Sequence, residues 1–228
     1  MLRFMAGETE LAERIRTYAW DKTDLGDPSG WPEALKTLVS VVLGANQPMF
    51  IVWGPSRRLL YNDRYTSVLQ GHHPEALGRP FLKVWSEIAD SLEPLVEDAY
   101  AGIPSHNDDI MLMMERNGYP EETHFAYSYT PVRVETGDVG GFFCACIETT
   151  SQVMTERAVR ESEVRNRQIL NSAIDYAIVA TDREGLVTQW NSGAERILGW
   201  TEAEMCGQPV DRFFTPEDQA GNRPQVEM

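Results

Sequence analysis

Cysteine, basic residues and long apolar runs are all scarce in this 228-residue chain, and each scarcity closes off a class of protein. Three cysteines cannot form a framework of paired disulfides. Cys144 and Cys146 lie two apart in a strand-like segment, so they share a face and a bridge between them would be strained. With Cys206 they read as buried, reduced thiols. Twenty Lys and Arg against 35 Asp and Glu give a formal charge of −15, which repels phosphate backbones and excludes nucleic acid as a direct partner. No apolar run approaches the roughly 20 residues of a membrane helix, and the opening MLRFMAGETE lacks the apolar stretch of a secretory signal. A soluble, cytoplasmic chain without a membrane span is expected.

What is present is an ordinary core-forming composition, 42% hydrophobic and 10% aromatic, in a length that suits one large domain or two small ones. A repeat organises it. Adding 129 to a position in the middle of the chain lands on a matching residue near its end: Asn62 on Asn191, Leu69 on Leu198, Glu75 on Glu204, Gly78 on Gly207 and Pro80 on Pro209. Tyr61 meets Trp190 and Trp85 meets Phe214 without a gap. One offset kept this long indicates a duplicated domain, each copy opening with two short strands and then small helices.

In the first copy, Trp31-Pro32 opens a helix whose Leu35, Leu38, Val39, Val42 and Leu43 follow the spacing of one buried face. Met49 to Trp53 is an apolar run of core-strand length, Gly54-Pro55-Ser56 is turn chemistry, and Leu59 to Tyr61 forms the partner strand. Asn62 then suits a helix N-cap, its side chain accepting from an otherwise unpaired backbone N–H. Short helices are expected to about residue 101. From Asp109 the period changes to two: Ile110, Leu112 and Met114 share one face and Met111 and Met113 the other. Asn117-Gly118 signals a hairpin. Its partner, Thr123 to Tyr129, sets Phe125, Tyr127 and Tyr129 on one side and His124, Ala126 and Ser128 on the other. After a turn at Thr136-Gly137-Asp138 comes the last strand, Val139 to Ile147.

Residues 150–172 contain neither Pro nor Gly and read as a solvated linker helix. Thr155, Val159, Ser162, Asn166, Ile169 and Ala173 follow coiled-coil spacing, but half are polar, so a parallel dimer helix and a helix lying on its own domain both stay open. The second copy restarts at Tyr176 to Asp182, turns at Glu184-Gly185 and continues through Leu186 to Trp190, where Asn191 repeats the cap. Thr201, with Glu204 three residues on, forms a capping box. By the same offset a complete second copy would run to about residue 277, so a truncated one is expected. The divisions are an N-terminal extension (1–30), a first domain (31–149), the linker (150–172) and a partial second domain (173–228).

The stretches WPEALKTLVSVVLGANQPMFIVWGPSRRLLYNDRY, HHPEALGRPF and RNGYPEETHFAYSYTPV resemble the N-terminal PAS domain of many bacterial sensor histidine kinases. DYAIVATDREGLVTQWNSGAERILGWTEAEMCGQ and FFTPED are similar to the PAS domain beside the kinase core in HWE-type kinases. The resemblance implies an α+β PAS fold: a five-stranded antiparallel sheet with flanking helices, a connecting helix and a partial second PAS domain. Glu148-Thr149-Thr150 occupies the place of the family's Asp-x-Thr ending, which ties the last strand to the output helix. Glu148 and Thr150 are therefore the candidates for signal relay. The implied role is sensory input and dimerisation for a two-component kinase, with a homodimer through the PAS domain and linker helix and a downstream response regulator as partners.

The chain itself is not expected to be catalytic. His72, His73 and His106 fall in loops or short helices and His124 in a strand, and no Gly-rich phosphate loop accompanies them. Flavin-adduct PAS domains carry a Cys three residues after a Gly, a place held here by Phe81 and Val210. Haem-binding ones carry a His on the long helix, and residues 90–102 contain none. Neither haem nor flavin is expected, although a cofactor-binding sensor driving a cyclase or phosphatase is the alternative reading. Trp53, Tyr61, His124, Phe125 and Tyr127 are the candidates for a pocket holding a small-molecule signal, and the aromatic members serve equally well as core filling. No metal site is expected.

Overall fold

In a computed structural model of the chain, which describes residues 3–5, 7–215 and 217, Thr9 opens the first helix, α1 (Glu10–Thr17), by accepting a hydrogen bond from the Ala12 N–H. One face of α1, Leu11, Ala12 and Ile15, is buried. Trp20 follows, its indole N–H donating to the Ile15 carbonyl while its ring meets Trp31 edge-on. The segment expected as an extension (1–30) is thus built into the first core, to which Met5, Leu11, Ile15 and Trp20 belong. Helix α2 (Glu33–Gly44) buries Leu35, Val39 and Val42, with Leu38 and Leu43 half-buried, as the spacing predicts.

Strand β1 (Met49–Trp53) is apolar throughout because it is enclosed on every side. β2 (Arg58–Tyr61) pairs along one edge and β5 (Val139–Glu148) along the other, α2 packs on one face, and Phe50 meets Tyr65 and Phe81 on the opposite face. Between β2 and the next strand come α3 (Thr66–Leu69), α4 (Phe81–Val84) and α5 (Ala89–Tyr100). β3 (Ser105–Met114) and β4 (Glu121–Arg133) form a hairpin across Asn117-Gly118, with Gly118 at φ +81°, the left-handed conformation that Gly adopts freely. The sheet order is β2-β1-β5-β4-β3 and every pair is antiparallel. Both hairpin strands outrun their sequence expectations, since backbone pairing carries β3 back to Ser105 and β4 on to Arg133. Gly141 is required where β5 meets β1: a Cβ there would lie 2.2 Å from the Val52 carbonyl oxygen.

The polypeptide divides into two compact units, Met1–Val153 and Met154–Met228. The division falls inside α6 (Thr150–Ser172), so most of the expected linker belongs with the second unit. No residue of α6 is buried. In the second unit, β6 (Val179–Thr181) pairs with β7 (Val187–Trp190), followed by α7 (Ser192–Leu198) and α8 (Glu202–Met205) over a core of Val187, Trp190, Ala194, Met205 and Val210. The first pairs of the first unit recur here 129 positions on, Phe50–Tyr61 as Val179–Trp190 and Ile51–Leu60 as Ala180–Gln189, until an irregularity sets Thr181 opposite Val187.

The two asparagines make the recurrence chemical. Asn62 Oδ1 accepts from the N–H groups of Tyr65 and Met49, both at 3.1 Å, while its Nδ2 donates to the carbonyls of Val42, Ala45 and Gln47. Asn191 Oδ1 accepts from Ala194 (2.9 Å) and Ile178 (2.8 Å), and its Nδ2 donates to Leu170, Ala173 and Tyr176. Each is a helix cap and also a splice between the preceding helix end and the hairpin. Thr201 and Glu204 complete their capping box.

Candidate functional site

Strands β1, β3, β4 and β5 and helices α3, α4 and α5 line a cavity of about 50 Å³ in the first unit. Alternation along β4 turns Phe125, Tyr127 and Tyr129 into it, β3 contributes Ile110, Leu112 and Met114, and β5 contributes Cys144 and Cys146. Phe50, Phe81 and Trp85 line the other side. Burial pushes the Tyr129 phenol and the Cys144 thiol well above their ordinary ranges, so both stay protonated. No lining residue is charged.

Two of the five expected pocket residues, Phe125 and Tyr127, line this cavity, and three do not. Trp53 lies an odd number of residues from Phe50, which turns it to the opposite face of β1, where its ring covers Gly140 and Gly141. Tyr61 shares the face of Phe50 but lies one strand further out, where its hydroxyl meets His73 Nδ1 at 2.9 Å. His124 faces away from the cavity: Nδ1 lies 2.6 Å from Asp109 Oδ1 and Nε2 3.0 Å from Glu122 Oε1. Hydrogen bonds to Glu122 and then Asp109 raise its pKa above the usual histidine range. Sequence reading missed Phe50, Tyr129, Cys144 and Cys146, whose alternation was visible but whose facing required the sheet order.

The second feature is the exit from β5. Glu148 receives a bidentate pair of hydrogen bonds from Arg116, Nη1 to Oε2 at 2.8 Å and Nη2 to Oε1 at 2.7 Å. Arg116, on the turn between β3 and β4, is buried; it also donates to Glu121 at 3.0 Å and to the Val68 carbonyl, while its own carbonyl accepts from Gly71. Thr150 Oγ1 donates to Glu148 Oε1 at 3.0 Å and accepts from the His124 N–H at 2.9 Å, and the Thr149 N–H donates to the His124 carbonyl. Burial pushes the Glu148 carboxyl up, but Arg116 outweighs it and holds the group below the usual carboxylate range. Glu148 and Thr150 are therefore brought together, with a partner, Arg116, that no local pattern announces. Because Glu148 is the cross-strand neighbour of Phe125, this clamp adjoins the wall of the cavity.

Residues 165–228 match the family model described as PAS fold. Over 89 residues the chain is 28% identical to the sensor protein FixL of Bradyrhizobium diazoefficiens, covering 39% of this chain and 17% of that protein. Over 58 residues it is 40% identical to the signal transduction histidine-protein kinase AtoS of Escherichia coli strain K12, covering 25% of this chain and 9% of that one. Among solved structures, the PAS domain from Bordetella pertussis BvgS aligns with TM-score 0.44 and 17% identity, over 58% of this chain and 98% of that one. An RNA-binding light-oxygen-voltage receptor aligns with TM-score 0.42 and 18% identity, over 64% and 42%. The match to the PAS fold model lies within the second unit, and the chain has the PAS fold, with stretches similar to a sensor protein and to a signal transduction histidine-protein kinase. It spans less than a fifth of either curated relative.

Proposed function

We propose that this chain is the sensory input and dimerisation region of a cytoplasmic, bacterial two-component sensor histidine kinase of the HWE type. Its two units are tandem PAS domains, the second one partial. The first perceives a signal, and α6 relays it, within a homodimer joined through the PAS domain and that helix, toward a kinase core outside these residues. A response regulator receives the phosphoryl group. The observation that carries this reading is the Arg116–Glu148–Thr150 clamp, which bonds the β3–β4 turn, the end of β5 and the first residue of α6 to one another. A change in the packing of the sheet thus reaches the helix through charge-assisted hydrogen bonds. The named activities of the two curated relatives agree with it.

The test is autophosphorylation of the full-length protein with and without its stimulus. Glu148→Ala should leave a folded protein whose phosphorylation no longer changes with stimulus, and Glu148→Gln should retain part of the response. A normal response from the Ala variant would overturn the relay. An absence of ATP-dependent histidine phosphorylation in the unaltered protein would overturn the kinase assignment.

A further inference from the structure

His124 is bonded as only a protonated ring can be. Its Nδ1 lies 2.6 Å from Asp109 Oδ1 and its Nε2 3.0 Å from Glu122 Oε1. An ionised carboxylate only accepts, and a neutral imidazole carries a single N–H, so without its second proton the ring would set a lone pair against an oxygen. His73 shows the contrast: its Nε2 faces Glu10, but its Nδ1 faces the Tyr61 hydroxyl, which can donate as well as accept, so that ring is satisfied without a charge. The charged groups acting on the His124 ring are Glu122, on β4 itself, and Asp109, on β3. Arg116 takes up Glu121 and Glu148, and residues 149–153, where α6 begins, carry no charge.

The backbone of the same residue holds the start of α6. The His124 N–H donates to Thr150 Oγ1 at 2.9 Å, and its carbonyl accepts from the Thr149 N–H at 2.8 Å. Thr149 Oγ1 is buried without a partner among the described residues and adds nothing to this junction. Asp109 lies in the irregular stretch of β3 between Asn107 and Ile110, where the ladder to β4 slips. Its side chain is 54% exposed against 34% for Glu122, so Asp109 is the arm that water can take over.

We propose that His124 is a proton-binding sensory site: the imidazolium ties β3 to β4 through Asp109, and loss of its proton frees Asp109 and loosens the two backbone bonds that hold the start of α6. The proposal rests on the sensory reading above and gives it the proton as a signal. Its working range lies above the usual histidine range, because Glu122 and then Asp109 favour the charged ring. Below that range the ring is charged and the start of α6 is fixed, and the junction loosens as pH rises through it.

The experiment follows the full chain by NMR between about pH 5 and about pH 9, reading the His124 ring signals and the hydrogen-exchange protection of two amides. Thr149 reports the junction, and Gly54, whose N–H donates to the Gly140 carbonyl, is the control. The ring should titrate above the ordinary histidine value of about 6.5. Thr149 protection should fall about tenfold through the same midpoint, as the loss of one charged hydrogen bond dictates, and the Gly54 amide should change less. Asp109→Asn places an amide that can donate to a neutral ring, so the step at Thr149 should vanish, and His124→Gln should remove it as well. The proposal is overturned by a ring midpoint at or below about 6.5, by Thr149 protection that is constant through the midpoint or falls only as far as that of Gly54, or by a step that persists in either variant. The measurements on the unaltered chain stand even if a variant fails to fold. They read no kinase output, so a normal stimulus response from Glu148→Ala would remove the relay and leave them as they are, and the two readings fail separately.

Discussion

Removing the Glu148 carboxylate strands a buried cation. Arg116 has 4% of its side chain exposed, against 29% for Glu148, and loses two of its three carboxylate contacts in the Glu148→Ala variant. Breaking a fully buried pair costs about 3–5 kcal/mol, but Glu121 still neutralises Arg116 and solvent screens the outer part of Glu148. The net loss is therefore about 2 kcal/mol, or about 4–8 °C in the Tm of a unit of this size. Thermal unfolding followed by circular dichroism measures it. Adding Arg116→Met removes the stranded charge and should restore at least half of the loss. The depressed Glu148 pKa sets the pH dependence: the stabilisation is present above the ordinary value of 4.5 and is lost as pH falls through the lower folded value. The Tm gap between the two proteins should close in acid. A Tm for Glu148→Ala within about 1 °C of the unaltered protein at neutral pH would refute the reasoning, as would a double variant less stable than the single one.

His124 titrates in the opposite sense. With its pKa raised by Glu122 and Asp109, its contribution is full below about 6.5 and is lost as pH rises through the folded value. The Tm should accordingly fall between mildly acidic and mildly alkaline pH, and His124→Gln should flatten that slope. Asn62→Ala removes a cap and leaves the buried Met49 N–H without its acceptor, for a loss of about 2–4 kcal/mol, readable as a lower urea midpoint. Sedimentation of the chain over a range of concentrations should show monomers converting to dimers, and Val159→Glu with Ile169→Glu on exposed positions of α6 should abolish the conversion.

Local chemistry made much of the frame legible before any coordinates. Alternation along β3 separates buried Leu112 and Met114 from exposed Met111 and Met113, and only the strand period is needed to see it. Asn62 and Asn191 are readable as caps because a short polar side chain before a helix has one dominant use, although their second task of splicing the hairpin to the preceding helix end leaves no local trace. The 129-residue offset carries the first two strand pairings across, residue against residue, but not the irregularity that shifts Thr181 to Val187.

The contents of the cavity and the clamp were decided by tertiary structure alone. Inserting β5 between β1 and β4 sets Cys144 opposite Phe50 and Tyr129, and no pattern in any one strand specifies its neighbours. Arg116 and Glu148 stand 32 residues apart, and the pair exists because the hairpin turn folds over the end of β5. Alternation put His124 on the face opposite Phe125, as it stands, so its place among the pocket candidates fails; its partner Asp109 comes alongside through an irregularity in β3 between Asn107 and Ile110. Side-chain period and capping are properties of a few consecutive residues, so sequence determines them. Which faces meet is settled by burying them together, a property of the whole sheet.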